Sequence, residues 1–210
     1  MKIDILTIFP EMFEKVFSTS IIGRAVGTGL VEIKVHNLRD WSDDNYKSVD
    51  GRPFGGGAGM VMRVDVVDRA LETLKRENTK VILMDTKGEM YSQKAAQTLT
   101  TEEHLILIAP HFEGMDHRVH DNLADKVYSI GGYVLSGGEL PVMVVVDSIV
   151  RLIPGALGNP ESLAEESYSE EMTMEYPQYT RPAEYKGWKV PDVLLSGDHK
   201  KIGEWRKGGK

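Results

Sequence analysis

The stretch Ser129-Ile-Gly-Gly-Tyr-Val-Leu-Ser-Gly-Gly-Glu-Leu-Pro141 is the most informative part of this chain. It follows an apolar strand pattern at residues 126–130 and precedes a strongly apolar helix that begins near Pro141. Its four glycines leave backbone N–H and C=O groups uncovered and permit backbone angles that other residues avoid. A loop of this kind is either a tight turn or a place where a flat ligand approaches the main chain. Because two further glycine-bearing loops occur, we favour the ligand site.

Outward from this loop, the sequence predicts alternating strands and helices. Short apolar runs predict buried strands at residues 3–9, 81–85, 105–109 and 127–130, and residues 30–35 alternate like a further strand. Helical patterns occupy residues 11–19, 64–77, 92–99 and 199–206. Strands that are apolar throughout and alternate with helices imply an α/β fold with a parallel sheet covered on both faces.

Composition limits the possible functions. The chain has 210 residues, no cysteine and a net charge of -7. Disulfides and thiolate metal sites are therefore excluded, and broad electrostatic binding of nucleic acid is disfavoured. Residues 200–210 are basic, which leaves room for a small, shape-specific RNA contact. The longest apolar run, residues 142–153, is interrupted by Asp147 and Arg151, so we expect no membrane span and a cytoplasmic protein.

A second glycine loop, Asp50-Gly-Arg-Pro-Phe-Gly-Gly-Gly-Ala-Gly-Met60, is too rich in glycine to form a strand or a stable helix. It lacks the Gly-Lys-Ser/Thr of a nucleotide-binding P-loop. Arg52 and Phe54 offer a cation for a phosphate and a ring for stacking on a base, as recognition of single-stranded RNA requires. The alternative is a flexible surface loop.

A third loop, Pro110-His-Phe-Glu-Gly-Met-Asp-His-Arg118, follows a predicted strand, where ligands of open parallel sheets bind. His111, His117 and His120 fit no common zinc spacing, so we expect them to be solvated or hydrogen-bonded. Glu113 is a candidate to face an amino group or a ribose. Asp147 and Arg151 lie four residues apart on one helical face, either as a salt bridge or with Arg151 stabilising negative charge on a substrate.

Several motifs occur together in order along nearly the whole chain. They are Ile8-Phe-Pro-Glu-Met-Phe13, Gly23-Arg-Ala-Val26, Asn37-Leu-Arg-Asp40, Arg52-Pro-Phe-Gly-Gly-Gly57, Glu113-Gly114, residues 129–141, Arg151-Leu-Ile-Pro-Gly155, Tyr176-Pro-Gln-Tyr-Thr-Arg-Pro182 and Val193-Leu-Leu-Ser-Gly197. With these motifs the chain resembles the TrmD-type tRNA (guanine-N1)-methyltransferases of bacteria, which belong to the SPOUT class of knotted methyltransferases.

The resemblance implies a fold and a cofactor. It implies a homodimer in which each subunit has a parallel-sheet SPOUT domain (residues 1–158) with a deep trefoil knot, a linker or lid (residues 159–171) and a shortened, mostly helical tRNA-binding segment (residues 172–210). The three knot loops, around residues 86–88, 110–114 and 129–141, would hold S-adenosylmethionine in a bent conformation through backbone contacts from Ile130 to Leu135. The residues implied for the cofactor are Thr86, Pro110, Glu113, Ser129, Ile130, Gly131, Gly132, Tyr133, Val134, Leu135, Gly137, Gly138 and Pro141.

The implied reaction is methylation of N1 of the guanosine immediately 3′ of the tRNA anticodon (position 37). Glu166 would remove the N1 proton, and Arg151 would stabilise the negative charge that builds on O6. The family also requires Mg²⁺, whose site the sequence does not indicate. The residues implied for contact with the RNA are Arg52, Phe54, Gly55, Gly56, Ser167 and Tyr168.

Departures from the family pattern keep alternatives open. Glu166 stands where the family has aspartate, and the adjacent Glu165 is an alternative for the same role. Pro110-His111 stands where Gly-Arg is common, and Gly132 where aspartate is frequent. The chain also ends at Lys210, before further C-terminal helices of the family. The alternatives are a weak or inactive knotted protein that binds RNA or the cofactor, and a SPOUT methyltransferase for another RNA.

Overall fold

The computed structural model describes residues 1–158 and 176–208, and its contacts divide the chain into two compact units, Met1–Pro160 and Glu161–Lys210. The predicted linker at residues 159–171 and the predicted site residues Glu166, Ser167 and Tyr168 lie outside the described residues.

The first unit is built on a parallel sheet. Its strands are β1 (Lys2–Thr7), β2 (Glu32–Asn37), β3 (Asp50–Gly51), β4 (Val61–Met62), β5 (Thr79–Met90), β6 (His104–Ile108) and β7 (Lys126–Ser129). Its helices are α1 (Glu14–Phe17), α2 (Ser20–Gly27), α3 (Val64–Leu74), α4 (Gln93–Thr100), α5 (His117–Asn122) and α6 (Glu139–Val150), with 3₁₀ turns at Pro10–Met12 and Leu38–Trp41. Five strands pair in the order β2-β1-β6-β5-β7, all parallel, while β3 and β4 form a separate antiparallel pair.

Helices cover both faces of this sheet. Successive side chains of a strand point to opposite faces, so Leu105 and Leu107 of β6 enter one hydrophobic core and Ile106 and Ile108 enter the other. Helices α2, α4 and α6 contribute to the first core, and α3 and α5 contribute to the second. The prediction of a doubly covered parallel sheet is therefore confirmed.

One charged network crosses the sheet near the start of β1. The carboxylate of Asp4 is fully buried and contacts Lys2 Nζ at 2.8 Å, His36 Nε2 at 2.7 Å and His104 Nε2 at 2.8 Å. Burial alone would raise the pKa of Asp4, but hydrogen bonds from His36, Lys2 and His104 outweigh it and hold the pKa below its ordinary value. Three partners around one carboxylate make its burial tolerable.

The pairing of β5 with β7 is interrupted beside the sheet's edge. Both Met84 and Glu89 face Tyr128, so residues 85–88 form an excursion from the regular ladder. Gly88 closes the excursion, because a Cβ there would lie 2.6 Å from the backbone N and C of Tyr128. The absence of a side chain therefore lets the two backbones meet.

One helical prediction needs correction, and two helices were not predicted. The helix predicted for residues 11–19 is divided into a 3₁₀ turn and α1, and α2 begins separately at Ser20, whose φ is 54°. Helix α2 was not predicted, since Gly23 and Gly27 lower its helix propensity. Helix α5 was also missed, although Asp116 caps it by accepting a hydrogen bond from the N–H of Arg118 at 3.0 Å.

The second unit contains a β-hairpin and two helices. Strands β8 (Glu184–Tyr185) and β9 (Trp188–Lys189) pair around a two-residue turn, and the helices are α7 (Asp192–Leu195) and α8 (His199–Gly208). Lys186 and Gly187 in the turn have φ of 53° and 83°, as a type I′ turn requires. The predicted final helix is confirmed, whereas the hairpin and α7 were not predicted.

Candidate functional site

A cleft opens at the carboxyl ends of β5, β6 and β7, where open parallel sheets bind their ligands. It encloses about 700 Å³ of empty space, including its open mouth. Its lining residues are Met84, Asp85, Thr86, Pro110, His111, Phe112, Glu113, Gly114, Tyr128, Ser129, Ile130, Gly131, Tyr133, Val134, Leu135, Ser136, Gly137, Gly138 and Pro141.

The loop after β7 forms one wall of the cleft and is braced from within. Ser129 Oγ donates to the carbonyl of Gly131 at 3.1 Å and accepts from its N–H at 3.4 Å. A Cβ at Gly131 would meet the ring of Tyr133, so this glycine leaves room for the ring. The side chain of Val134 is 87% exposed, so the loop presents apolar surface at the cleft.

Two walls of the cleft meet where Gly138 passes Pro110. The N–H of Gly138 donates to the Pro110 carbonyl at 2.6 Å. A Cβ at Gly138 would lie 2.8 Å from Pro110 N and 2.9 Å from Ala109 Cα, closer than side-chain carbons approach a backbone. The second glycine pair of the opening stretch is thus required for close backbone approach, and α6 begins immediately after it at Glu139.

The glycine-rich second loop lies beside the same cleft. Strands β3 and β4 close its base, and Met60 O accepts a hydrogen bond from Glu113 N at 3.0 Å. Glu113 therefore joins the cleft wall to this loop. Phe54 is fully exposed, and Arg52, Gly55 and Gly56 are exposed with it.

The cleft brings together almost all the residues that the resemblance assigns to the cofactor. Twelve of the thirteen line it, and Gly132 is exposed outside it. The sequence interpretation missed Met84, Asp85, His111, Phe112, Gly114, Tyr128 and Ser136. His111, Phe112, Gly114 and Ser136 lie within loops whose other positions were predicted, so taking whole loops would have included them. Met84, Asp85 and Tyr128 lie in β5 and β7, just before the predicted positions.

Comparison with known proteins identifies the family of this chain. The sequence profile described as "tRNA (Guanine-1)-methyltransferase TrmD" matches residues 1–210. The chain belongs to the TrmD family. It is 51% identical over 207 residues to the tRNA (guanine-N(1)-)-methyltransferase of Dictyoglomus turgidum, an alignment that covers 99% of this chain and 84% of that protein. It is 53% identical over 207 residues to the protein of the same name from Brevibacillus brevis, covering 98% of this chain and 85% of that protein.

Of the two catalytic residues that the TrmD resemblance predicts, the structure describes Arg151. It follows α6, and its N–H donates to the carbonyl of Asp147 at 3.2 Å. The cleft lies at the other end of this 12-residue helix, about 18 Å away at the rise of an α-helix. An arginine side chain does not span that distance, so within one chain Arg151 and the cleft are not brought together.

The predicted histidines contact carboxylates. Nδ1 of His111 lies 3.3 Å from Glu139 Oε2, Nε2 of His120 lies 3.1 Å from Asp85 Oδ2, and Nε2 of His117 lies 3.5 Å from Asp121 Oδ1. Within residues 1–158 and 176–208, no three histidine or acidic side chains gather as metal ligands do, so the described part of this TrmD chain holds no preformed cluster of protein metal ligands. The same residues include no helix with the length and apolar composition needed to cross a bilayer.

Proposed function

We propose that this protein methylates N1 of the guanosine at tRNA position 37, with S-adenosylmethionine as methyl donor, and produces N1-methylguanosine. The observation that carries the proposal is the cleft at the ends of β5, β6 and β7. Twelve residues that the resemblance assigns to the cofactor line this one cleft in a chain of the TrmD family. The three segments implied in the trefoil knot, residues 86–88, 110–114 and 129–141, also contribute to it, which supports the proposed knot.

The cleft suits S-adenosylmethionine in its chemistry. Its walls combine apolar side chains with the backbone of a glycine loop. When bound, the cofactor supplies a methyl group already activated by the sulfonium. The protein's task is then alignment: the loop from Ile130 to Leu135 holds the ligand close to the main chain.

Proton removal is the chemical step that the chain itself must supply. Guanine N1 carries a proton at neutral pH, so a general base must accept it as the methyl group transfers. We assign that role to Glu166. Negative charge then develops on the neighbouring O6, where the guanidinium of Arg151 stabilises it. Glutamate has one more methylene than the aspartate of the family pattern, and misplacement of a catalytic group by about 1 Å can cost roughly 100-fold in rate.

The separation of Arg151 from the cleft supports a homodimer. Arg151 lies one helix length from the cleft of its own chain. The arginine that acts at the cleft therefore comes from a second copy of the chain. Leu140 and Val144 on α6 are 52% and 47% exposed and lie four residues apart, so they form a shared apolar stripe. A second subunit seated on this stripe would cover it.

The second unit has the charge and the surface needed for an RNA partner. Residues 176–210 carry eight lysines and arginines against four acidic residues, although the whole chain is negative. Tyr185 and Trp188 are directly paired across the hairpin, with ring centroids 5.9 Å apart, and Trp188 is 72% exposed. Exposed rings beside Lys186 and Lys189 suit stacking on unpaired bases and contact with phosphates. We therefore assign tRNA binding to this unit, and a cytoplasmic location follows from a tRNA substrate.

The assignment of the general base is tested by substituting two adjacent residues of the linker, Glu165 and Glu166. Transfer of labelled methyl from S-adenosylmethionine to tRNA should be lost in Glu166→Gln and kept in the matched control Glu165→Gln, because only the first removes the proposed base. Equal loss in both variants would contradict the assignment of Glu166. If the wild-type protein binds the cofactor but is inactive, the alternative of a binding protein is supported. If it methylates ribosomal RNA as well as tRNA, the alternative of a SPOUT methyltransferase for another RNA is supported.

A further inference from the structure

A buried carboxylate lies directly beneath the cleft. Glu139 is the first residue of α6, and its side chain is only 2% exposed. Oε1 accepts a hydrogen bond from Thr7 Oγ1 at 3.0 Å, and Oε2 lies 3.3 Å from His111 Nδ1. Burying a carboxylate is costly unless it is paired, so both contacts are needed to keep Glu139 in place.

The partners of Glu139 come from separate parts of the sheet. Thr7 ends β1, and its Oγ1 also accepts a hydrogen bond from Phe9 N at 3.0 Å. His111 follows β6, and its ring meets the ring of Phe9 edge to face, with 4.9 Å between centroids. Its backbone N–H points to Met62 Sδ at 3.0 Å. Glu139 thereby links the end of β1, the loop after β6 and the start of α6.

The glycine loop rests on this pair. A Cβ at Gly137 would collide with both Glu139 Oε2 and His111 Nδ1, so the main chain of the loop passes directly over them. Gly138 then donates its N–H to Pro110, the residue before His111. A displacement of Glu139 or His111 would therefore move both walls at their junction.

We propose that Glu139 and His111 form a positioning pair for S-adenosylmethionine. Glu139 lies outside the set of residues that line the cleft and acts through His111, whose Nδ1 lies 3.3 Å from its Oε2. The pair holds Pro110 and Gly138 at the separation that the bound cofactor requires. This inference rests on the proposed function and adds residues to its cofactor site.

The substitution Glu139→Gln tests the pair because it keeps the shape of the side chain and an acceptor for Thr7. We expect the Kd for S-adenosylmethionine, measured by calorimetry without tRNA, to rise about tenfold, as for loss of a charge-assisted hydrogen bond. The KM for the cofactor should rise in parallel, while kcat and the KM for tRNA stay within about twofold, since the pair contacts neither the base nor the tRNA.

A double-mutant cycle separates a pair from two independent residues. His111→Ala should raise the Kd for the cofactor as Glu139→Gln does. The Kd of the double variant should be little higher than that of the single variant with the higher Kd. Asp4→Asn is the control. Asp4 is also a buried carboxylate, it lies on β1 with Thr7, and it does not line the cleft. It should lower the melting temperature and leave cofactor affinity unchanged.

Two results would overturn the positioning pair while leaving the proposed function intact. One is wild-type cofactor affinity in both single variants. The other is a loss of affinity that appears only with a drop in melting temperature as large as that of Asp4→Asn. Failure of the wild-type protein to bind S-adenosylmethionine would instead contradict the proposed function itself, and the positioning pair with it.

Discussion

The N–H of Gly138 donates to the carbonyl oxygen of Pro110 across 2.6 Å, and this contact joins two walls of the cleft. It exists because Gly138 has no side chain: a Cβ would lie 2.8 Å from Pro110 N. Backbone atoms cannot move aside as a flexible side chain can. The cleft thus depends on a glycine for its shape.

Gly138→Ala is therefore expected to weaken binding of S-adenosylmethionine by at least about tenfold, since overpacking at a fixed backbone costs about 1–3 kcal/mol. Isothermal calorimetry on the protein alone measures this effect. Gly27→Ala is the matched control, because Gly27 ends α2 and a Cβ there meets nothing within 4 Å. Similar affinities in the two variants would contradict the role of the Gly138 contact.

Arg151 and the cleft lie at opposite ends of α6, which predicts that a complete site uses two subunits. At a cofactor concentration well below the raised Kd of Gly138→Ala, Arg151→Ala and Gly138→Ala should each show little activity alone. Refolded together in equal amounts, they should recover about a quarter of wild-type activity, because half of the dimers are mixed and each mixed dimer holds one complete site. Activity that stays absent after subunit exchange, verified by native mass spectrometry, would place Arg151 and the cofactor in the same chain.

The hairpin of the second unit predicts a defect confined to the RNA. Trp188→Ala should raise the KM for tRNA by about tenfold, since stacking on a base contributes about 1–3 kcal/mol, and should leave the Kd for S-adenosylmethionine unchanged. Tyr46→Ala is a suitable control, because Tyr46 is also highly exposed but belongs to the first unit. An unchanged KM for tRNA in Trp188→Ala would remove the hairpin from the proposed RNA surface.

The buried network at Asp4 predicts a pH-dependent stability. The pKa of Asp4 is lower in the folded chain, so its ionised form stabilises the fold above the ordinary aspartate pKa of about 4, and this contribution is lost as the pH falls through the folded-state pKa. Asp4→Asn should lower the free energy of unfolding at pH 7 by about 3 kcal/mol, the usual cost of breaking a buried ion pair.

Urea unfolding at pH 7 and at low pH measures this dependence. The difference between wild type and Asp4→Asn should shrink as the pH falls below about 4. Glu32→Gln provides the comparison, because Glu32 contacts Lys34 on the surface and exposed ion pairs contribute little. A constant difference at every pH would mean that the charge of Asp4 does not stabilise the fold.

Two elements show how much of the structure can be predicted from the sequence. The run His104–Ile108 is apolar after its first residue, and it proved to be a central parallel strand with a core on each face. The glycines at 137 and 138 predicted either a tight turn or close approach of a ligand, and in the structure Gly138 makes a close approach to the backbone of Pro110. Both patterns lie within a few consecutive residues, so they can be recognised without knowledge of the tertiary fold.

The positioning contacts had no local signal. Glu139 and Thr7 are 132 residues apart, and nothing in the residues around either indicates that they meet in a buried hydrogen bond. The sequence left open whether Arg151 pairs with Asp147 or faces a substrate, and in the structure α6 separates Arg151 from the cleft of its own chain. Contacts between residues so far apart in the sequence follow from the tertiary fold and leave no local pattern.

The central claim is tested most directly by methyl transfer from labelled S-adenosylmethionine to two tRNA transcripts, one with guanosine and one with adenosine immediately 3′ of the anticodon. We expect label only in the guanosine transcript, recovered as N1-methylguanosine after nuclease digestion. Equal labelling of both transcripts, or no labelling by protein that binds the cofactor, would contradict the proposed function.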